Sequence, residues 1–168
     1  MNKINYNKLN VVLYFTGGVL FYVSPIILLL LNATKVINYI PPLILILIGG
    51  YFYFRIAKAL FHIITNKPMI EFTNEEYIDN FNCVNVKWKD IKLLTFEDTK
   101  APFVVFYLNQ NSLFYNQITN PLKLLFYKFE SFSGKSFRTN IRLAEGKNSE
   151  IYKEIEKNIK NRRNKSYP

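Results

Sequence analysis

Acidic residues are missing from the first 67 residues of this 168-residue chain, which carry six Lys or Arg and no Asp or Glu. All twelve acidic residues and the other sixteen basic residues come after position 67. The mean composition, with a net charge of +10 and 49% hydrophobic residues, therefore describes neither part. About 100 residues can form one small domain in the second part, and a large multidomain enzyme is excluded.

Cysteine and histidine are almost absent, with one residue of each, Cys83 and His62. A single cysteine excludes an intramolecular disulfide and a zinc site with several cysteine ligands. His62 has no carboxylate near it in sequence, and Cys83 has no histidine in the second part to activate it. We therefore expect no catalytic residue, no metal and no cofactor, and we interpret Cys83 as a buried or edge thiol.

Long uncharged stretches fill the first part instead. The stretch from Leu9 to Leu31 has 23 residues, more than the roughly 20 that a helix needs to cross a bilayer. A second uncharged stretch runs from Val36 to Phe54 and continues as an amphipathic segment to Ile64. The Pro41-Pro42 pair leaves the start of this second helix open between Val36 and Pro41. The pattern predicts a transmembrane hairpin with spans of about 9–31 and 36 or 41 to 64.

Glycines occur in both stretches at related positions. When the two stretches are folded about the midpoint between Ala33 and Thr34, four glycines reach matching depths: Gly17, Gly18, Gly49 and Gly50. Lipid provides no hydrophobic driving force between helices, so small residues that allow close approach favour helix packing. We predict that the two helices pack at these glycines; the alternative is chance spacing.

Basic residues flank the two stretches on one side. They precede the first helix or follow the second, at Lys3, Lys8, Arg55, Lys58 and Lys67, whereas the connecting loop has only Lys35. The positive-inside rule then predicts a multi-pass protein with both termini in the cytoplasm. The five flanking bases are predicted to lie at the membrane interface.

After residue 67 the pattern changes to short segments rich in β-branched and aromatic residues, which are typical of strands. Strands are predicted at Met69–Phe72, Tyr77–Phe81, Val84–Lys89, Ile91–Glu97, Phe103–Leu108 and Phe137–Leu143. In the third of these, Val84, Val86 and Trp88 alternate with polar residues, which predicts one buried and one solvent-facing side.

Helices are predicted around the last of these strands. Residues 113–118 suit a strand or a helix, and the residues after Pro121 suit a helix. A final amphipathic helix begins at Asn148 or Ser149 and places four apolar residues on one face: Ile151, Tyr152, Ile155 and Ile159. The fold class predicted for this part is α+β, an antiparallel sheet or small barrel with a C-terminal helix.

Four features of the second part follow one another: the proline and apolar strand Pro68-Met69-Ile70, the step Trp88-Lys89-Asp90-Ile91, the glycine-containing turn Ser133–Phe137 and the helix from Asn148 to Ile159. This strand-rich part with its C-terminal helix resembles bacterial pleckstrin-homology-like domains. With two transmembrane helices directly before such a domain, the chain is similar to a family of small, functionally uncharacterised bacterial membrane proteins, in which the four features have this order. The resemblance implies a membrane α-helical hairpin over 1–67, a cytosolic pleckstrin-homology-like domain over 68–161 and a basic tail over 162–168. It also implies the bacterial cytoplasmic (inner) membrane, and it brings no catalytic residue.

Charge within the second part is polarised, because residues 68–98 carry a net charge of −4 and residues 99–168 a net charge of +8. Pleckstrin-homology-like folds can hold acidic head groups on a basic face, which makes Lys135, Arg138 and Arg142 a candidate ligand face. Bases close to an anionic leaflet also attract its lipids. Ordinary solubilising charge is the alternative for these bases and for those at the interface. Nucleic-acid binding is not expected, because six of the basic residues belong to the membrane part.

These patterns predict a non-enzymatic, membrane-anchored binding module that presents its domain at the cytoplasmic face. The expected partners are the lipid bilayer, including anionic lipid, and a membrane or cytosolic protein. The alternative function is an accessory or immunity-type subunit that acts on another membrane protein through its transmembrane helices.

Overall fold

The computed structural model describes residues 3–31, 40–98, 101–110, 114–118, 121, 124, 125, 127, 128 and 137–163. The chain divides into two compact units. We call Tyr6–Lys67 the hairpin unit, and Met1–Asn5 together with Pro68–Pro168 the sheet unit.

The sheet unit is built from short strands and one long helix in its described part. The strands are β1 (Lys3–Ile4), β2 (Ile70–Phe72), β3 (Glu76–Asp79), β4 (Val84–Lys87), β5 (Ile91–Glu97), β6 (Phe103–Leu108) and β7 (Phe137–Asn140). A 3₁₀ turn, Trp88–Asp90, separates β4 from β5, and helix α3 (Asn148–Arg163) closes the unit. The predicted limits of β5 and β6 are confirmed, and the predicted late strand ends at Asn140, three residues early.

The strands form two antiparallel sheets, with the orders β1-β2-β3-β4 and β5-β6-β7. The α+β class with antiparallel sheets is therefore confirmed. The predicted strand Val84–Lys89 is too long, because the chain turns at Trp88 and the first sheet ends there. The side chain of Trp88 is buried, and its indole N–H donates to the Thr73 carbonyl oxygen at 3.0 Å. The backbone N–H of Trp88 makes a last cross-strand bond to the Glu75 carbonyl oxygen at 3.0 Å, and the 3₁₀ turn begins there.

Strand β1 was not predicted from the sequence. Ile4 is the register partner of Ile70, and the backbone N–H of Met69 donates to the Ile4 carbonyl oxygen at 2.9 Å. Two residues are too few to show an alternating pattern, so only the long-range pairing identifies this strand. As a result, the chain enters the sheet unit immediately before the hairpin unit and again immediately after it.

The core of the sheet unit is aromatic and centres on Tyr77. Its ring lies 4.7 Å from that of Phe106 and 6.4 Å from that of Trp88. Phe106 in turn stacks on Phe137 at 4.3 Å, and Phe137 on Phe114 at 5.0 Å. These rings join β3, β6 and β7, so the two sheets share one core.

Helix α3 is amphipathic, as predicted. Ile151, Ile155 and Ile159 are buried. Near its end, Arg162 lies over the ring of Trp88 at 5.6 Å and donates to the Thr73 carbonyl oxygen and to Asn74 Oδ1. The helix is therefore fastened to the turn between β2 and β3.

The hairpin unit contains two long helices, α1 (Lys8–Leu31) and α2 (Ile40–Ile64). The side chain of Asn7 caps α1 by accepting the N–H of Asn10 at 3.0 Å. Helix α2 has Pro41 and Pro42 in its first turn, where proline is tolerated. Val36, the earlier alternative start, lies outside the described residues.

The end of α2 has the hydrogen bonds of a Schellman motif. The N–H of Lys67 donates to the His62 carbonyl oxygen at 2.8 Å, and Asn66 has a left-handed φ of 54°. Asparagine accepts this conformation more readily than most residues. Among the described residues, one helix segment, Lys8–Ile27, is long and apolar enough to cross a membrane, judged by length and composition alone.

Candidate functional site

The five predicted interface bases lie at the ends of the hairpin unit or beside it in the sequence. Lys3 lies on β1 with Glu71 as its register partner, and Lys8 is the first residue of α1. Arg55 and Lys58 are half-buried on the last turns of α2, and Lys67 is exposed just after this helix.

The two helices of the hairpin unit pack around a glycine and two aromatic rings. Phe15 stacks on Tyr53 at 5.1 Å. A Cβ atom at Gly18 would lie 3.1 Å from Cδ2 of Tyr53, whereas one at Gly17 would meet nothing within 4 Å. Glycine at position 18 therefore makes room for the Tyr53 ring. The predicted contacts of Gly49 and Gly50, which lie within α2, stay a prediction.

The single histidine is occupied by a hydrogen bond within the hairpin unit. His62 and Tyr6 are both buried, and the Tyr6 hydroxyl lies 2.9 Å from His62 Nδ1. This pair links the segment before α1 to the last turns of α2. We interpret His62 as a structural residue.

The three residues of the predicted ligand face are not seen together. Arg138 lies on β7, with its guanidinium 4.9 Å from the centre of the Phe103 ring. Arg142 is exposed in the loop after β7, where its backbone N–H donates to Asn140 Oδ1 at 2.9 Å. Lys135 lies outside the described residues. The ligand face stays a prediction.

Cys83 is exposed, so the buried alternative for this thiol is wrong. It ends the turn from β3 to β4 with a left-handed φ of 54°. The predicted strand Tyr77–Phe81 is also too long, because this turn begins after Asp79.

A buried polar cluster that was not predicted from the sequence joins the two sheets. The Asp79 carboxylate is fully buried and accepts bonds from the Asn82 backbone N–H at 2.8 Å, the Asn82 side-chain amide at 2.6 Å and the Thr139 hydroxyl at 2.7 Å. The Tyr77 hydroxyl donates to Thr139 Oγ1 at 3.1 Å. Burial raises the pKa of the Tyr77 phenol well above its ordinary value of 10.0, and the nearby Asp79 raises it further. The residues of this cluster are buried, and we interpret their hydrogen bonds as structural contacts between the two sheets.

A cavity of about 650 Å³ opens beside β4. We call it the β4 groove. It is lined by one edge of the first sheet, the turn after it, the end of β6 and the segment 114–118, namely by Glu76, Asn85, Val86, Lys87, Lys89, Asp90, Leu108, Asn109, Gln110, Phe114 and Gln117. Its volume falls within the range of about 300–1,000 Å³ that is usual for ligand pockets.

The wall of the groove formed by β4 is a sheet edge in the described part of the chain. The backbone N–H of Asn85 points away from β3 and donates to the side-chain Oε1 of Gln117 at 3.2 Å. Successive residues of a strand alternate in direction, so the N–H and C=O of Lys87 point to the same side. No local sequence signal could have predicted the groove, because it depends on the order of the strands.

Among the described residues, no group of three or more His, Cys, Asp or Glu side chains could hold a metal ion. Comparison of the chain with models of known protein families, with curated proteins and with solved structures finds no match in any of the three. No function is therefore transferred to this chain from a relative.

Proposed function

We propose that this protein is a membrane-anchored, non-enzymatic binding module of the bacterial cytoplasmic membrane. Helices α1 and α2 cross the bilayer as a hairpin, both termini face the cytoplasm, and the sheet unit binds its partner there as a pleckstrin-homology-like domain.

The pairing of Ile4 with Ile70 is the observation that carries this proposal. Residues paired in one sheet lie on the same side of any membrane. If α1 crosses the bilayer, the chain must therefore cross again before it reaches Ile70. The 25 residues of α2 supply that second crossing, since roughly 20 are needed.

Exposed apolar side chains support a spanning position for α1 over one on the membrane surface. Three successive residues, Val12, Leu13 and Tyr14, are exposed, so the apolar surface is not confined to one face. A helix lying in the interface needs one strongly polar face, and α1 has no charged residue from Leu9 to Leu31. Helix α2 also exposes large apolar side chains, with Phe54 71% and Phe61 61% exposed.

The orientation follows from the flanking bases, which favour the cytoplasmic side. We propose that Arg55, Lys58 and Lys67 contact anionic lipid there, at about 1 kcal/mol for each base near the surface. The antiparallel sheets and the closing helix α3 support the pleckstrin-homology-like interpretation of the sheet unit.

Carbonate extraction of membranes from cells that express the full chain tests the anchor. We expect the protein to stay with the lipid, because a spanning hairpin is not released by the loss of surface interactions. Release of most of the protein into the supernatant would contradict the proposal.

Nanodiscs test the lipid contact. Native mass spectrometry of the full chain should detect more retained anionic lipid than neutral lipid. A variant with Arg55, Lys58 and Lys67 all changed to Gln should lose this preference. The matched control changes three exposed lysines elsewhere to Gln, at Lys147, Lys153 and Lys157, and should keep it. Equal loss in both variants, or no loss in the first, would reject the specific contact.

The accessory-subunit alternative has one observation in its favour. The surface of α1 at Gly17 is open within 4 Å, and small residues on a lipid-facing surface allow another helix to approach. Replacing residues 6–67 by an unrelated two-helix hairpin separates the two functions. If this variant still crosslinks to the proteins that the natural chain crosslinks to, the sheet unit binds them. If it no longer does, the native helices bind them.

A further inference from the structure

We infer that the β4 groove receives an extended, uncharged segment of another polypeptide, which adds to the first sheet as a strand beside β4. This inference rests on the proposed binding function and names the class of partner.

The backbone of β4 offers hydrogen-bonding groups to the groove. The N–H of Asn85 is already bonded to Gln117 Oε1, a side-chain carbonyl in the place where a partner strand would put a backbone carbonyl. The N–H and C=O of Lys87 point in the same direction by strand alternation. An extended peptide satisfies such a row of groups, which is the basis of strand addition to a sheet edge.

The side chains of the groove suit a polypeptide. Leu108 is half-buried and supplies apolar surface, whereas Val86 and Phe114 also line the groove but are buried in their own unit. Four carboxamides also line the groove, at Asn85, Asn109, Gln110 and Gln117. Carboxamides both donate and accept hydrogen bonds, as peptide groups do. An incoming strand can therefore place apolar side chains on the Leu108 side of the groove while its peptide groups remain hydrogen-bonded.

The charges of the groove favour a segment without net charge. Lys87 and Lys89 are balanced by Glu76 and Asp90, and Glu76 is the register partner of Lys87. A second copy of this chain is not an uncharged segment, because its own β4 carries Lys87 and is followed directly by Trp88 and Lys89.

A phage-displayed library of short random peptides, selected for binding to the full chain in detergent micelles, tests this inference. Selected peptides are synthesised, and their binding is measured by fluorescence anisotropy. We expect uncharged peptides with alternate apolar residues, whose affinity changes less than about threefold between low and moderate salt. Hydrogen exchange should show protection of the Asn85 and Lys87 amides on binding.

Variants at Asn85 identify the backbone contribution. Asn85→Pro removes the outward N–H, and proline is tolerated on an edge strand, so binding should fall at least about tenfold. Asn85→Ala keeps the N–H and should bind as the natural chain does. Gln117→Ala removes the side chain that has to be displaced and should strengthen binding a few-fold; it also serves if Asn85→Pro does not fold.

Four results would overturn the inference: no selected peptides, equal binding to a folded Asn85→Pro variant, unchanged or weaker binding to Gln117→Ala, and protection away from β4. A dimer that forms with rising concentration and is broken by Asn85→Pro would show a second copy as the occupant instead. Because the binding is measured in detergent, its failure is distinct from failure of the membrane anchor, which carbonate extraction measures.

Discussion

The hydroxyl of Thr139 on β7 donates a hydrogen bond of 2.7 Å to the Asp79 carboxylate on β3, and both residues are fully buried. This bond joins the two sheets of the sheet unit through a polar contact inside an aromatic core. Buried polar groups without partners are costly, so each member of the pair depends on the other.

Removal of either partner should destabilise the sheet unit. Thr139→Val should lower the free energy of unfolding by about 2 kcal/mol, because the Tyr77 hydroxyl loses its acceptor and Asp79 loses a donor. Asp79→Ala should cost about 3 kcal/mol or more, since three donors lose their acceptor. Urea titration in mild detergent, followed by the fluorescence of Trp88, measures both. Thr139→Ser, which keeps the hydroxyl, is the control; wild-type stability of Thr139→Val would contradict the account.

Stability should also fall in alkaline solution because of Tyr77. Its pKa is raised in the folded chain above the ordinary value of 10.0. From about pH 10 upward, the unfolded phenol loses its proton while the folded one keeps it, so the unfolded state is favoured as pH rises. Unfolding free energies compared between about pH 9 and 11 should decrease less steeply for Tyr77→Phe than for the natural chain. Equal slopes would be evidence against a protonated, buried phenol.

The packing of the hairpin unit should depend on which glycine is replaced. Gly18→Leu places atoms where the Tyr53 ring now lies, 3.1 Å from a Cβ at this position. It should lower the temperature at which the detergent-solubilised protein aggregates. Gly17→Leu is the matched control, because nothing lies within 4 Å of its Cβ position. Similar effects at both positions would show that the Tyr53 contact does not decide the packing.

The stability of the turn at Cys83 should depend on which residue occupies this left-handed position. Its φ of 54° is unfavourable for most side chains, so Cys83→Gly should keep or raise the stability of the turn. Cys83→Val should lower it by about 1–2 kcal/mol, since β-branched residues tolerate this region poorly. Urea titration of the two variants tests the difference, and an equally stable valine variant would contradict it.

Local patterns in the sequence predicted much of the sheet unit. The alternation of Val84, Val86 and Trp88 gave the buried side of this segment, and the spacing of Ile151, Ile155 and Ile159 gave the buried face of α3. These features depend on the period of two residues in a strand and of 3.6 residues in an α-helix, and both periods can be recognised within a short stretch of sequence.

Long-range pairing could not be predicted in the same way. Asp79 and Thr139 are separated by 60 residues, and their bond exists only because the two sheets share a core. Strand β1 has two residues and forms by pairing with a segment that follows the hairpin unit in the sequence. The β4 groove likewise depends on β4 being the last strand of its sheet. Strand order, and with it the candidate site, follows from tertiary packing.

Thiol labelling of the single native cysteine tests the proposed topology most directly. A membrane-impermeant maleimide should label the exposed Cys83 in inverted inner-membrane vesicles and leave it unlabelled in intact spheroplasts. In a Cys83→Gly background, a cysteine introduced by Thr34→Cys, between the two helices in the sequence, should show the opposite pattern. Labelling of Cys83 in spheroplasts, or of both positions from the same side, would contradict a hairpin that crosses the membrane twice.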